Sequence, residues 1–236
     1  MVMGINYSPK IVTDGLVLCY DAANNRSYPG TGTTWTDISA GFSDSLVSRS
    51  TADNGTLTNG PTFDTTNKGS IVFDGTNDRV AIPLGSLPTP QNSSNFTYEA
   101  VVKFDSLGWR TIFSQNPAAP TGKIFLAVHG TNSKLVTFIT GAVKQPSFAA
   151  LSTGTIYHVA LGISGSNIYI GLNGVWDSVN TASFSYSGTG DINIGCEPNA
   201  AGSFLDGNVY SVRIYNRFLQ DSELYENYKA IKGRYS

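Results

Sequence analysis

Charge is scarce in this sequence. Lys, Arg, Asp and Glu make up 14% of the 236 residues, against the roughly 25% usual for soluble domains. With 15 basic and 17 acidic residues and a net charge of −2, no electrostatic footprint exists for nucleic acid or an anionic membrane, and neither partner is expected. No apolar run is long enough to span a bilayer. The opening MVMGINYSPK lacks a basic segment followed by an apolar one, so no signal peptide is expected. Cysteine is limited to Cys19 and Cys196. No Cys-x-x-Cys or Cys/His cluster accompanies them, which excludes a zinc site, and both read as buried free thiols. Glutamate occurs four times, at Glu99, Glu197, Glu223 and Glu226. No Gly-x-Ser-x-Gly, phosphate loop or His-Glu-x-x-His is present.

What fills the deficit is Gly, Ser, Thr and Asn set between short runs of period-two alternation. FTYEAVVKFD places Phe96, Tyr98, Ala100, Val102 and Phe104 on one face of a strand and Thr97, Glu99, Val101, Lys103 and Asp105 on the other. In IYHVALGI, Tyr157, Val159, Leu161 and Ile163 form the core set and His158 faces the opposite way. KIFLAVH, LVTFIT, NIYIGLN, DINIG and NVYSVRIYN read as further strands. Asn173-Gly174 between two such runs predicts a hairpin, because both residues tolerate positive φ. Ile71 and Phe73, then Val80, Ile82 and Leu84, are expected to point inward from two more strands.

One helix is expected, over residues 220–232. Asp221 is its N-cap, Leu224, Tyr228 and Ile231 form its apolar stripe, and Lys229, Lys232 and Gly233 mark its end. From Asn24 to Lys68 the chain reads as long ordered loops pinned by Trp35, Ile38, Phe42, Leu46, Leu57 and Phe63. No repeat or low-complexity run divides the chain. The expectation is a single domain over residues 1–236, with residues 1–10 as an N-terminal arm.

Taken in order, GLVLCYDAANNRSYPGTGTTWTDIS, NGTLTNGPTFD, SIVFDGTNDRVAI, FTYEAVVKF, TGTIYHVALGISGSNIYIGLNGV and FLDGNVYSVRIYNRFLQDSELYENYKA resemble the laminin-G-like, concanavalin-A-like jelly-roll domains. The versions found in bacteriophage structural proteins are the most similar. The resemblance implies an all-β sandwich of two antiparallel sheets with long N-terminal loops and one short C-terminal helix. It also implies a non-catalytic, surface-exposed decoration or adhesion protein of a virion capsid or tail, made in a host cytoplasm. Its expected partners are other virion proteins, a host cell-surface glycan and further copies of itself. The alternative is a carbohydrate-binding lectin-like module with a structural calcium ion. Glucanases of this fold carry Glu-x-Asp-x-x-Glu on one strand, and none of the four glutamates here begins that pattern, so no catalysis is expected.

Fold does not fix function, so sites are argued separately. Glycan binding needs an exposed aromatic face beside groups that hydrogen-bond hydroxyls. Trp176 with Asp177, Trp109 with Arg110, and Tyr186 meet that description, and each reads more simply as a partly buried packing residue. Asp74, Asn77 and Asp78, with Asp206 as a distant contributor, offer hard oxygens for calcium. The same loop reads more simply as a bend between strands, closed by side-chain-to-backbone hydrogen bonds. Tyr215, Arg217, Arg234 and Tyr235 are of types enriched in interfaces and are the expected subunit contacts.

Overall fold

The computed structural model describes residues 10–41, 53–83, 87, 94–117, 124–139, 142–179, 188–198 and 202–235. In chain order the strands begin with β1 (Leu16–Asp21), β2 (Thr34–Trp35), β3 (Gly55–Thr58), β4 (Thr62–Asp64), β5 (Ser70–Asp74) and β6 (Arg79–Ile82). They continue with β7 (Asn95–Phe104), β8 (Arg110–Pro117), β9 (Ile124–Val128), β10 (Leu135–Ile139) and β11 (Ala142–Lys144). The last are β12 (Ile156–Ser164), β13 (Asn167–Leu172), β14 (Val175–Ser178), β15 (Gly188–Ile194) and β16 (Asp206–Tyr215), followed by α1 (Asp221–Lys232).

Two antiparallel sheets form the sandwich. The first runs β14-β13-β12-β7-β16-β5-β4, with β1 also paired to β16; the second runs β11-β10-β9-β8-β15-β6-β3-β2. Alternation explains the packing. The inward set of β7, Phe96 through Phe104, joins Val159, Leu161 and Ile163 of β12 in one apolar core with Val80, Ile82, Leu126, Ile192 and Ile194 of the facing sheet. A register shift between Val209 and Ser211 of β16 is a bulge. It leaves Tyr210 outside the sandwich, packed with Val101 and Ile231, and returns Val212 to the core. At the predicted hairpin, Asn173 has φ 49° and Gly174 φ 82°. A Cβ on Gly174 would stand 2.9 Å from that of Tyr228, so turn geometry and helix docking both require glycine there.

The loop-rich N-terminal stretch is anchored as its large residues suggest. Trp35 is fully buried and stacks on Tyr20 at 5.1 Å, and Leu57 joins the core. Phe42, Leu46 and Leu84 lie outside the described residues. Cys19 and Cys196 are both buried thiols, and burial raises the Cys19 thiol to about 12.

The helix departs from expectation in three respects. Its N-cap is Gln220, whose backbone N–H donates to the Glu223 carboxylate at 2.8 Å, and Asp221 is the first helical residue. Gly233 stays right-handed at φ −68°, so the helix ends without a left-handed cap. The buried stripe is Leu224, Asn227 and Ile231, with Tyr228 only half-buried. A buried amide in an apolar stripe needs polar company beneath it.

Candidate functional site

That company is Glu99. It points out of the sandwich from β7 and is covered by α1, leaving its side chain 1% exposed. Arg213, opposite it on β16, donates from Nη1 to Oε1 at 2.5 Å. His158, on β12, places Nε2 3.1 Å from Oε2. The Asn227 amide donates to both carboxylate oxygens at 3.1 Å and to the Tyr215 hydroxyl at 3.0 Å. Tyr215 in turn donates to the Val12 carbonyl at 3.0 Å, while the Val12 N–H donates to Asn227 Oδ1 at 2.7 Å. Helix, sheet and N-terminal segment thus meet on one carboxylate. Burial opposes ionisation of Glu99, but Arg213, then His158, and the hydrogen bonds from His158 and Asn227 outweigh it and hold the carboxyl below its usual range. Burial pushes the Tyr215 phenol well above its ordinary value.

Of the four expected subunit contacts, this arrangement corrects Tyr215. Tyr215 is fully buried and committed to Val12 and Asn227, so no neighbouring molecule can reach it. Arg217 forms a fork to Glu223 at 2.6 and 2.8 Å and pairs with Asp14 at 2.8 Å. Arg234 forks to Asp21 at 2.8 and 2.9 Å, and Tyr235 packs on Tyr210 with ring centres 4.8 Å apart. All four tie the terminal segments to their own sheet.

Of the expected sugar-stacking residues, Trp176 is likewise a packing residue. Its indole stacks on Phe218 at 5.2 Å and its Nε1 donates to the Leu219 carbonyl at 2.9 Å. Gly162 of β12 and Gly171 of β13, diagonal neighbours across the strand pair, leave the hollow it fills; a Cβ on Gly162 would stand 2.9 Å from the indole. Asp177 accepts both the backbone N–H and the hydroxyl of Ser147 at 2.6 Å. Tyr186 lies outside the described residues.

The remaining residues converge on one rim of the sandwich, formed by the loops after β5, β7, β9 and β15. Trp109 is 39% exposed, with its indole over Gly130 and 4.7 Å from the His129 ring. Arg110 donates to the Phe204 carbonyl at 3.0 Å and to Ser106 Oγ at 2.7 Å, and stands 4.0 Å from Asp206. Ser106 donates to Asp206 at 2.5 Å. Next to them, the Asp74–Asp78 segment is a turn built on side chains. Asp74 Oδ1 accepts from the backbone of Thr76 and Asn77, and Asp78 Oδ2 accepts from that of Asp74.

These donors do not fit a calcium ion. Asp206 already faces a guanidinium and a hydroxyl and Asp74 Oδ1 is spent on the turn, which leaves few free oxygens beside the unpartnered Asp78 Oδ1 for an ion that takes six to eight. Among the described residues no group of three or more His, Cys, Asp or Glu side chains is placed to hold a metal.

The model of one family, the concanavalin A-like lectin/glucanases superfamily, matches residues 74–224. The chain belongs to this superfamily. No curated protein matches it in sequence. Among solved structures, domain 4 of AbnA, a GH43 extracellular arabinanase from Geobacillus stearothermophilus, seen with arabinotriose, superposes with a TM-score of 0.66 at 19% identity. That match covers 90% of this chain and 97% of the domain. Trypanosoma rangeli sialidase with the inhibitor DANA matches with a TM-score of 0.65 at 16% identity over 97% of this chain, which spans 34% of the sialidase chain. The botulinum neurotoxin type G receptor-binding domain matches with a TM-score of 0.61 at 15% identity, over 92% of this chain and 51% of that one. At such identities the likeness is one of fold.

Within this superfamily chain, alternation placed Glu99 and His158 each on the face away from the core but did not reach Arg213 and Asn227. The signal available for Asn227 was its position, three residues after Leu224 and four before Ile231. An amide there is the polar member of an otherwise apolar stripe.

Proposed function

We propose that the chain is a non-catalytic, lectin-like carbohydrate-binding module whose sugar contact is the rim around Trp109. The observation that carries this is the exposed indole. Trp109 is held in place by Gly130 and His129 while 39% of its surface faces solvent, beside the polar side chains of Arg110 and Asp206. A fixed aromatic face next to charged hydrogen-bonding groups is what a sugar ring needs: its C–H surface stacks and its hydroxyls are read at the edge. The arabinanase domain solved with arabinotriose supports a saccharide ligand for a domain of this fold and size.

The glutamates support the absence of catalysis. Glu99 is locked between Arg213, His158 and Asn227, Glu197 accepts from Ser203, Glu223 pairs with Arg217, and Glu226 is solvent-exposed on α1. A general acid and a nucleophile must flank one glycosidic bond; none of these four has such a companion among the described residues.

The test is a glycan array followed by calorimetry. We expect binding to at least one saccharide class and at least about tenfold weaker affinity for Trp109→Ala, with the melting temperature little changed. Failure to bind any glycan, or binding indifferent to Trp109, would remove the reading. Placement on a phage particle rests on the sequence resemblance alone and gains no support from the family match or the similar structures. Finding the chain in symmetry-matched copies on purified particles would support that placement, and absence from them would end it.

A further inference from the structure

Beside α1, away from the Trp109 rim, the outer face of the first sheet opens into a cleft of about 170 Å³. Its apolar side is made by Val101, Ile156 and Ile231, and its polar side by His158, Tyr228, Lys232 and Tyr235. Two buried polar atoms on its lining residues, His158 Nδ1 and the Tyr235 hydroxyl, have no hydrogen-bond partner among the described residues. Unsatisfied buried groups are rare in native proteins, and two on one cleft call for an occupant. Lys232 forms no salt bridge among the described residues; its ammonium lies 5.7 Å from the centre of the Tyr228 ring.

These residues specify the chemistry of the occupant. His158 Nε2 faces the Glu99 carboxylate, which only accepts, so Nε2 carries a proton and Nδ1 is the ring nitrogen left for the cleft. A hydroxyl suits Nδ1 in either protonation state of the ring, because it can both donate and accept. The Lys232 ammonium, exposed at the edge of the cleft, can pair with an anionic oxygen there. The volume corresponds to roughly five or six waters at ~30 Å³ each, which admits one small ring and not a chain. The neighbouring cleft, on the far side of Ile231, lacks this demand for charge, because Arg234 and Asp21 in its wall neutralise each other.

We infer that the cleft between α1 and strands β7 and β12 binds a single small ring carrying a hydroxyl and a carboxylate. The ring lies on Val101, Ile156 and Ile231, its hydroxyl hydrogen-bonds with His158 Nδ1, and its carboxylate meets Lys232. A uronic acid monosaccharide and a phenolic acid share this chemistry. The site is separate from the rim, so either can fail without the other.

The experiment uses the whole chain labelled with ¹⁵N and follows the imidazole nitrogens, of which only His129 and His158 contribute; His129→Gln assigns them. D-glucuronate and 4-hydroxybenzoate are titrated at millimolar concentration, with glucose and benzoate as analogues lacking the carboxylate or the hydroxyl. We expect one of the two acids to shift the His158 Nδ1 resonance. The matching analogue should bind about tenfold more weakly, as should the acid to Lys232→Gln, an exposed change that leaves the fold intact. Which acid binds identifies the source. No Nδ1 shift with either acid, or a shift whose titration Lys232→Gln leaves unchanged, overturns the proposal.

Discussion

On one face of β7, Phe96, Tyr98, Ala100, Val102 and Phe104 lie between the two sheets; on the other, Thr97, Glu99 and Val101 lie beneath α1. Both sets are almost wholly buried. The first is dry because apolar surface leaves water, a non-directional gain of about 25 cal/mol per Å². The second is dry although it contains an ionised carboxylate, and it holds only because every charge there has a partner at bonding distance. The inner face tolerates exchange among residues of similar size. The outer face tolerates little, since removing one partner strands the others.

The largest effect expected from that contrast is at Glu99. Glu99→Ala leaves Arg213 and His158 buried without their anion and should cost about 3–5 kcal/mol in urea unfolding. Replacing the group together, as Glu99→Leu with Arg213→Met and His158→Leu, should restore stability to within about 1 kcal/mol of the parent. If the single change costs no more than the joint one, the two faces do not differ as described.

Acid provides the second test. The Glu99 carboxyl is depressed in the folded state, so its contribution is complete above the unfolded value near 4.5 and is lost as pH falls through the lower folded value. Stability should therefore decline below about pH 4.5, and the parent should lose more on acidification than Glu99→Gln, as read by melting temperature against pH. Equal acid slopes would contradict the depressed carboxyl.

Asn227→Ala sharpens the contrast further. It removes the amide that satisfies Glu99 and Tyr215 and accepts from Val12, for an expected loss of about 1–3 kcal/mol. The smallest effect belongs to Arg217→Ala, about 1 kcal/mol or less, because its partner Asp14 is largely exposed and its own side chain is partly in water. Denaturant midpoints for the pair would reverse the ranking if helix docking depended on the outer fork and not on the buried amide.

Much of this was legible in the residues. Strict alternation in FTYEAVVKFD and IYHVALGI assigned the inner face correctly, and Asn173-Gly174 marked a turn that the backbone adopts. Alternation names a face without naming what covers it, so Tyr215 read as a subunit contact when α1 buries it, and Trp176 read as a sugar contact or, more simply, as a packing residue, which its stacking on Phe218 decides. Gly162 and Gly171 carried the missing hint, since glycine inside a strand often marks close approach by another group. Nothing local marked Arg213 as the partner of Glu99, because they lie 114 positions apart and meet only through the register of β7 and β16.

That separation governs how the molecule comes together in time. Val12, Glu99, His158, Arg213 and Asn227 belong to distant parts of the chain, with Val12 and Asn227 215 positions apart. They can close around one carboxylate only after β7, β12 and β16 are aligned, so the closure belongs late on the folding route, beyond the main barrier. Loosening it should leave the refolding rate nearly unchanged and accelerate unfolding, which makes the cluster the latch that sets how long the native state persists.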